Sequence, residues 1–482
     1  MNPYFSRREM LRRTSCGFGS LALASLFAEQ GMSGGVSNPL AAKLPMFAAK
    51  AKRVIFVFMQ GGPSQMDTFD YKPALFDADG KDIDFTGVRF GTFGKDSKRK
   101  LMKPMWDFAQ YGESGRWVSS LFPHIAQHVD ELCFLKGMHT EGVAHGPATL
   151  FMHTGAINLV RPAIGSWISY GLGTENENLP AFVSIGPSQT KGGPRNISNA
   201  FLPAVHQGTA IGRAEHPETQ KEFAYLRNHE LDLNEQAKRY ERLRRLNQAQ
   251  LGRHGTVAGH NGTPGGADEL EATIESYELA FRMQQFAPHA LNISEETTDT
   301  LEMYGINEKH TESFGRQCLL ARRLAESGVR YVQLNYANES PNPPWDQHSN
   351  MPAHETHARA TDKPVAGLLA DLKQRGLLED TLVWWGGEFG RTPFSQNKNG
   401  RDHNPGGFTV FLAGGGVKTG IEFGATDEIG HYAVEGKAHM HDLHATVLHL
   451  LGLDHEQLTY RYAGRDFRLT DVAGRVLHDI IA

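Results

Sequence analysis

The sequence predicts an α/β fold in which a mostly parallel sheet is covered on both sides by helices. Three observations carry that expectation. Continuous apolar runs of strand length recur, as in RVIFVFM (53–59) and TLVWWGG (381–387). A strand buried on both faces reads this way, without alternation. Helical patterns separate the later runs, as in a sheet built from crossover units. Polar segments follow the runs, and ligands of open α/β sheets bind outside the carboxyl ends of the strands.

The elements follow in order. RVIFVFM carries three β-branched residues and ends in the glycine-rich turn QGGPSQMDTFD (60–70). A second apolar segment, ELCFLKGMHT (131–140), precedes GVAHGPATLFMHTG (142–155), which reads as a loop entering a helix. FVSIG (182–186) is the next strand, and 187–212 reads as an irregular loop. Residues 214–300 read as a helical insertion, with helices in HELDLNEQAKRYERLRRLNQAQL and ADELEATIESYELAFRMQQF (267–286). The α/β rhythm then returns, with a helix over 313–328 and a strand over 329–336. DKPVAGLLADLKQRG (362–376) predicts a helix with Asp362 as N-cap and Pro364 near its first position. FTVFLAGGG (408–416) is a further strand, and DLHATVLHLLG (442–452) a short helix capped by Asp442.

The chain has 482 residues and is 40% hydrophobic and 21% charged, so a substantial core is available. Its formal net charge of -5 is no nucleic-acid signature. Three cysteines, Cys16, Cys133 and Cys318, exclude a disulfide framework. The N-terminus pairs Arg7 with Arg8 ahead of a modest apolar stretch, Gly17 to Ala28, too short to span a bilayer comfortably. The order of charge, apolar core and small residues resembles a bacterial twin-arginine export signal. We therefore expect an export signal and linker over 1–45 and one domain over 50–482, periplasmic or secreted, with no transmembrane span in the mature chain.

Chemistry-bearing residues gather after the strands. Ser64 and Asp67 follow the first; Asp346 and His348 follow 329–336; Glu388 and Arg391 follow 381–387; Asp402 and His403 precede 408–416. Asp346 and His348 are two apart, so in an extended segment they share a face and can reach one ion. Mixed oxygen and nitrogen ligands suit Zn²⁺ or Mn²⁺ better than a calcium cage. A loop hydrogen-bond pair explains the same spacing equally well. Glu388 is either a metal ligand or the salt-bridge partner of Arg391. In the first case Arg391 is left to face a substrate oxyanion, which its forked donors suit. His441 and His444 flank the cap of the last helix and read as structural; Cys133 and Cys318 read as core residues.

GGPSQMDTFD, WDQH (345–348), GEFGRTP (387–393) and RDH (401–403) together resemble the bacterial "domain of unknown function 1501" family. The closing stretch, HMHDLHATVLHLLGLDHEQLTYRYAGRDFRLTD, is similar to its planctomycete-type members. That family is grouped with the alkaline phosphatase and sulfatase fold superfamily. The resemblance implies a three-layer α/β/α sandwich with a divalent metal site at the strand ends. It implies Asp346, His348, Glu388 and His403 as metal ligands. The superfamily places a metal-binding Asp directly after the first strand; here Gln60, Gly61 and Gly62 stand there, and Asp67 is the nearest carboxylate. Counting back from Thr154-Gly155 puts His145 where the superfamily has its Ser, Thr or Cys nucleophile, with Thr149 four residues on. His145 is ranked as a ligand or acid–base group ahead of a nucleophile.

Two functions follow as expectations. One is an exported metal-dependent hydrolase of phosphate or sulfate esters, small or polysaccharide-linked, with zinc or manganese ahead of calcium and His145 and Arg391 as catalytic groups. The alternative is a non-catalytic binding or scaffold protein on a degenerate fold, favoured by the missing hydroxyl nucleophile.

Overall fold

The computed structural model describes residues 40–84, 98–216, 231–254 and 266–482. The expected export signal lies outside the described residues. In chain order, the strands that build the sheet and the site are β1 (Arg53–Met59), β2 (Leu132–His139), β3 (Phe182–Ile185), β4 (Thr209–Ile211), β5 (Tyr331–Tyr336), β6 (Thr381–Gly386), β7 (Gly390–Gln396), β8 (Gly400–Asn404), β9 (Phe408–Ala413), β10 (Ile421–Phe423) and β11 (Ala438–His439). All except β7 and β8 form one nine-stranded sheet, in the order β10-β2-β9-β6-β1-β5-β3-β4, with β11 beside β2. Pairing is parallel throughout except at β9, which runs antiparallel to both β6 and β2. The carboxyl ends of β1, β2, β5 and β6 therefore share one edge.

Helices cover both faces: α1 (His145–Thr154), α2 (Ile164–Leu172), α3 (Leu233–His254), α4 (Gly266–Leu291), α5 (Glu312–Glu326), α6 (Ala353–Gln374) and α7 (Met440–Leu450). All seven residues of β1 are buried. Its alternate side chains serve opposite cores, as the period of two requires. Ile55, Val57 and Met59 pack with Leu319, Leu324, Val365 and Leu369 from α5 and α6. Val54, Phe56 and Phe58 pack with Phe151, Trp167, Leu443 and Val447 from α1, α2 and α7. The two tryptophans of β6 divide likewise. Trp384 stacks on Phe56 at 3.9 Å on one face, and Trp385 stacks on Phe411 at 5.2 Å on the other. The result is a three-layer α/β/α sandwich with a mostly parallel central sheet. Within 214–300, α4 buries Leu279, Met283 and Ala287, a four-residue spacing that puts one stripe against the α5 side of the core.

Two helix starts differ from the sequence reading. α6 begins at Ala353, so Asp362 lies inside it and Pro364 is an interior proline. Burial of Val365, Leu368, Leu369 and Leu372 overrides the local boundary signal. Asp362 does cap a helix, but a different one. Its carboxylate accepts the backbone N–H groups of His124 (2.9 Å) and Ile125 (2.8 Å), at the start of the 3-10 helix Ile125–Glu131. In α7 the N-cap is His439, and Asp442 completes a capping box from the third position.

Cys133 and Cys318 are both fully buried. Burial pushes the Cys133 thiol up to about 12 and the Cys318 thiol well above its usual range. Thiolates are the reactive species. Iodoacetamide followed by peptide mass mapping is therefore expected to leave both unlabelled in the native protein and to label both in denaturant. Rapid native labelling of either would contradict this packing.

Candidate metal centre

The strand-end loops meet around a cluster of three imidazoles and one carboxylate. His145, Asp346, His348 and His403 each offer one ligand atom, and the four atoms all lie within 4.8 Å of one another. Asp346 Oδ1 stands 3.2 Å from His145 Nε2, 2.9 Å from His348 Nε2 and 3.3 Å from His403 Nε2. The Nε2 atoms of His348 and His403 are 3.0 Å apart. A tetrahedral ion with bonds of about 2.0–2.2 Å holds its ligands ~3.3–3.6 Å apart, so this set is at that scale and slightly contracted.

Each imidazole is held by its other nitrogen. His145 Nδ1 lies 2.6 Å from Glu388 Oε1, His403 Nδ1 lies 2.9 Å from the carbonyl of Val143, and His348 Nδ1 meets the Gln396 side-chain oxygen. All three partner atoms are acceptor oxygens. Each therefore puts the proton on Nδ1 and leaves an Nε2 lone pair facing the centre. His145 Nε2 is buried and has no hydrogen-bond partner. Lone pairs converging on a carboxylate oxygen repel unless a cation or protons lie among them. The donor set of three nitrogens and one oxygen suits a divalent zinc- or manganese-type ion.

The electrostatics agree. Without a cation, protons take its place: burial alone would raise the Asp346 carboxyl, but the facing imidazoles of His145, His348 and His403, when protonated, and the charge of Arg391 hold it far below the carboxylate range. Burial lowers the His145 imidazole, but the carboxylates of Asp346 and Glu388, one against each ring nitrogen, outweigh it, so the net shift is upward. His403 is pushed down to about 4, chiefly by burial.

Local structure explains how these residues arrive. His145 is the first residue of α1, after Ala144 in an extended conformation. Asp346 and His348 lie in the loop between β5 and α6. Gly61, at φ +113°, lets the turn after β1 approach that loop; a Cβ there would sit 2.7 Å from the Asp346 nitrogen. β7 and β8 form an antiparallel hairpin that pairs Arg391 with His403. β8 also donates the Arg401 N–H to the Gln347 carbonyl at 3.0 Å, which fixes the hairpin against the Asp346–His348 loop.

Three expected site residues have other surroundings. Glu388 is fully buried, and its carboxylate accepts from the Gly61 N–H at 3.0–3.1 Å and from His145 Nδ1. It backs a ligand and lies outside the four-atom group. Asp67 pairs with Arg401 at 2.7 Å, with both side chains fully buried, and also meets Ser64 Oγ and the Met105 N–H. Its oxygens are thus committed to a structural ion pair. Arg391 is fully buried. It donates to the carbonyls of Gly61, Gly62 (3.0 Å) and Trp345 (3.2 Å), and its Nη2 lies 2.9 Å from Asp346 Oδ1. It locks the β1 turn to the Asp346 loop. Thr149 is fully buried inside α1. His441 and His444 donate to the carbonyls of Gly155 (3.0 Å) and Met152 (2.8 Å), satisfying the carboxyl end of α1.

Gln396 was missed, because the β7–β8 hairpin that carries it was not among the expected elements. The turn signal QNKNG was present: Asn397 and Lys398 adopt φ of +48° and +79°, as hairpin turns require. Phe389 was also missed. It packs on the His403 and His145 rings, at 4.5 and 5.0 Å.

The fold and site define an α/β sandwich carrying a metal-type cluster at the carboxyl edge of its sheet. Residues 51–481 match the family described as "Protein of unknown function (DUF1501)", and the chain belongs to that family. No curated protein matches it. Among solved structures it is similar to the lipoteichoic acid synthase LtaP from Listeria monocytogenes, with a TM-score of 0.38 and 10% identity over 90% of this chain and 78% of that one. It is also similar to the PsFucS1 sulfatase from Pseudoalteromonas sp. (TM-score 0.33, 11% identity, 89% and 70% covered). A third is a TAB5 alkaline phosphatase mutant with Mg bound (0.35, 13%, 85% and 100%). No helix among the described residues is long and apolar enough to cross a membrane.

Proposed function

We propose that this protein is an exported, metal-dependent hydrolase of phosphate or sulfate esters, with His145, Asp346, His348 and His403 holding one divalent ion, zinc or manganese. The observation that carries this reading is the orientation of the three imidazoles, each tied at Nδ1 to an acceptor so that its Nε2 faces the same carboxylate oxygen. Such an ion, when bound, polarises an ester oxygen or acidifies a water at neutral pH. The chain supplies the rest. Glu388 and Gln396 orient His145 and His348. Arg391 fixes Asp346 and neutralises part of its charge, so the site has little anionic field to repel an anionic ester. Solvent and substrate reach the cluster past His348, whose side chain is 27% exposed, while His145 and Asp346 form the floor at 8% and 4%.

A second reading has its own support. Four protein ligands complete a tetrahedral set, as closed structural zinc sites do, whereas catalytic sites keep a position open. No hydroxyl or thiol stands among the four residues of the cluster. The two readings separate in one experiment on the purified protein. Metal content is measured by elemental analysis, beside turnover of p-nitrophenyl phosphate and p-nitrophenyl sulfate. Stoichiometric metal with turnover that chelation abolishes and metal restores is the expected result. Stoichiometric metal without turnover of either ester would favour the structural reading. Absence of metal after reconstitution with zinc or manganese would remove both.

A further inference from the structure

The folded domain begins earlier than the family match. That match starts at residue 51, yet residues 40–51 are built into the surface as a strap. Leu40 is 2% exposed within the hydrophobic core, and Ala51 is 1% exposed at the other end. Between them the backbone caps two helices. The Thr174 N–H donates to the Leu40 carbonyl at 3.0 Å, and the Lys43 N–H donates to the Leu172 carbonyl at 2.9 Å, at the carboxyl end of α2. The N–H groups of Met46, Lys50 and Ala51 donate to Gly452, Leu450 and Leu450, each at 2.8 Å, at the carboxyl end of α7. The last carbonyls of a helix have no partner within it, so the strap supplies donors that the two helices lack.

The surface is shaped to take the strap. Gly173 (φ +66°) ends α2, and a Cβ there would stand 2.0 Å from the Ala41 carbonyl oxygen. At Gly452 (φ +74°) a Cβ would stand 2.6 Å from the Phe47 carbonyl oxygen. Side chains add to the hold: Lys43 Nζ donates to the Tyr170 carbonyl at 2.7 Å, and Phe47 packs on His449 at 4.8 Å.

We propose that the cut that matures this protein falls on the amino side of Leu40, so that the exported form keeps residues 40–51 as its N-terminal strap. The step is hydrolysis of one peptide bond by a leader protease of the host: water adds across the bond and leaves a new α-amino group upstream of Leu40. A cut within the strap would free the Leu40 anchor and leave carbonyls of α2 without their donor. The proposal rests on the export reading for the existence of a cut, but not for the existence of the strap.

The test uses the full chain. It is expressed in a bacterial host with a twin-arginine translocase, and the N-terminus of the exported protein is read by intact mass. A start after Ala28 and at or before Leu40 is expected; a start at Ala41 or beyond, or an exported chain left uncut, overturns the proposal. In parallel, full-length purified protein is digested with trypsin under native conditions. Cleavage at Lys43 and Lys50 is expected to be slow in the wild type and about tenfold faster or more in Leu40→Ser and in Gly173→Val, because local opening then costs less. Leu44→Ser, at a side chain 93% exposed, is expected to behave as the wild type. Equal rates in wild type, Leu40→Ser and Gly173→Val would show that no strap is held, and would sink the proposal whether or not the protein is exported.

Discussion

Asp346→Asn is expected to abolish stoichiometric metal binding and to destabilise the protein at the same time. Asp346 Oδ1 lies within 3.3 Å of all three Nε2 atoms, and Arg391 Nη2 stands 2.9 Å from it. The substitution removes the only negative charge of the four-residue group. The loss of affinity should therefore exceed the ~10–100-fold typical of removing an outer partner. It also strands a fully buried guanidinium. Breaking a buried ion pair costs about 3–5 kcal/mol, and the lower end applies because Arg391 still donates to four carbonyls. The pair of measurements is isothermal titration of the metal-free protein with zinc and denaturant unfolding with and without metal. Unchanged zinc affinity in the variant would remove Asp346 from the ligand set. The wild type adds a pH signature. In the metal-free protein the charged His145 imidazole is stabilised by Asp346 and Glu388, a contribution present at acid pH and lost as pH rises through its raised pKa. A metal must displace that proton, so zinc affinity should rise with pH, by about tenfold per unit while His145 is the group being displaced. His403, pushed down to about 4, is already neutral over that range and adds nothing to the slope.

The contrast between Asp346 and Glu388 shows what was legible in the sequence. The strands were legible because burial on both faces leaves unbroken apolar runs: β1, β3 and β6 fall where RVIFVFM, FVSIG and TLVWWGG lie. Their parallel order then placed Asp346, His348, Glu388 and His403 at one edge. Which of the four reach the centre was not legible. Being near a strand end fixes a residue to within a turn of chain, whereas ligation is decided over less than a side-chain length. Glu388 points into the sheet's own end, toward the Gly61 N–H, and leaves its place in the group to His145, 243 residues earlier in the chain. Arg391 was read as a substrate group because an arginine after a strand has that use. Its zero exposure depends on the β7–β8 hairpin folding back over it, which no local pattern announces. Asp362 makes the same point on a smaller scale, since its capping role was legible but its partner, 237 residues away in sequence, was not.

Glu388→Gln is expected to keep the fold and weaken metal binding by about 10–100-fold, the range for outer partners of a metal-bound imidazole. The carboxylate now does two things at once. Both of its oxygens lie within reach of the Gly61 N–H, and Oε1 also accepts from His145 Nδ1 at 2.6 Å. A glutamine has one acceptor oxygen and a donor amide. If the oxygen stays on His145, the amide is turned toward the Gly61 N–H, donor against donor. If it turns to Gly61, the amide faces His145 Nδ1 and favours the tautomer that protonates Nε2, the atom needed for the metal. The first outcome loosens the Gly61 turn that carries the carboxylate, and the second lowers the population of imidazole with its lone pair on the centre, so their mixture weakens metal binding. A direct ligand behaves differently: were Glu388 itself bound to the ion, its loss should cost as much as that of Asp346. Nitrogen-15 NMR of the histidine side chains in the metal-free protein reports the tautomer, and zinc titration reports the affinity. A shift of His145 toward Nε2 protonation together with an intermediate affinity loss is the expected pattern. An affinity as poor as that of Asp346→Asn would return Glu388 to the ligand set, and no change in either readout would mean that the hydrogen bond to His145 does not govern the site.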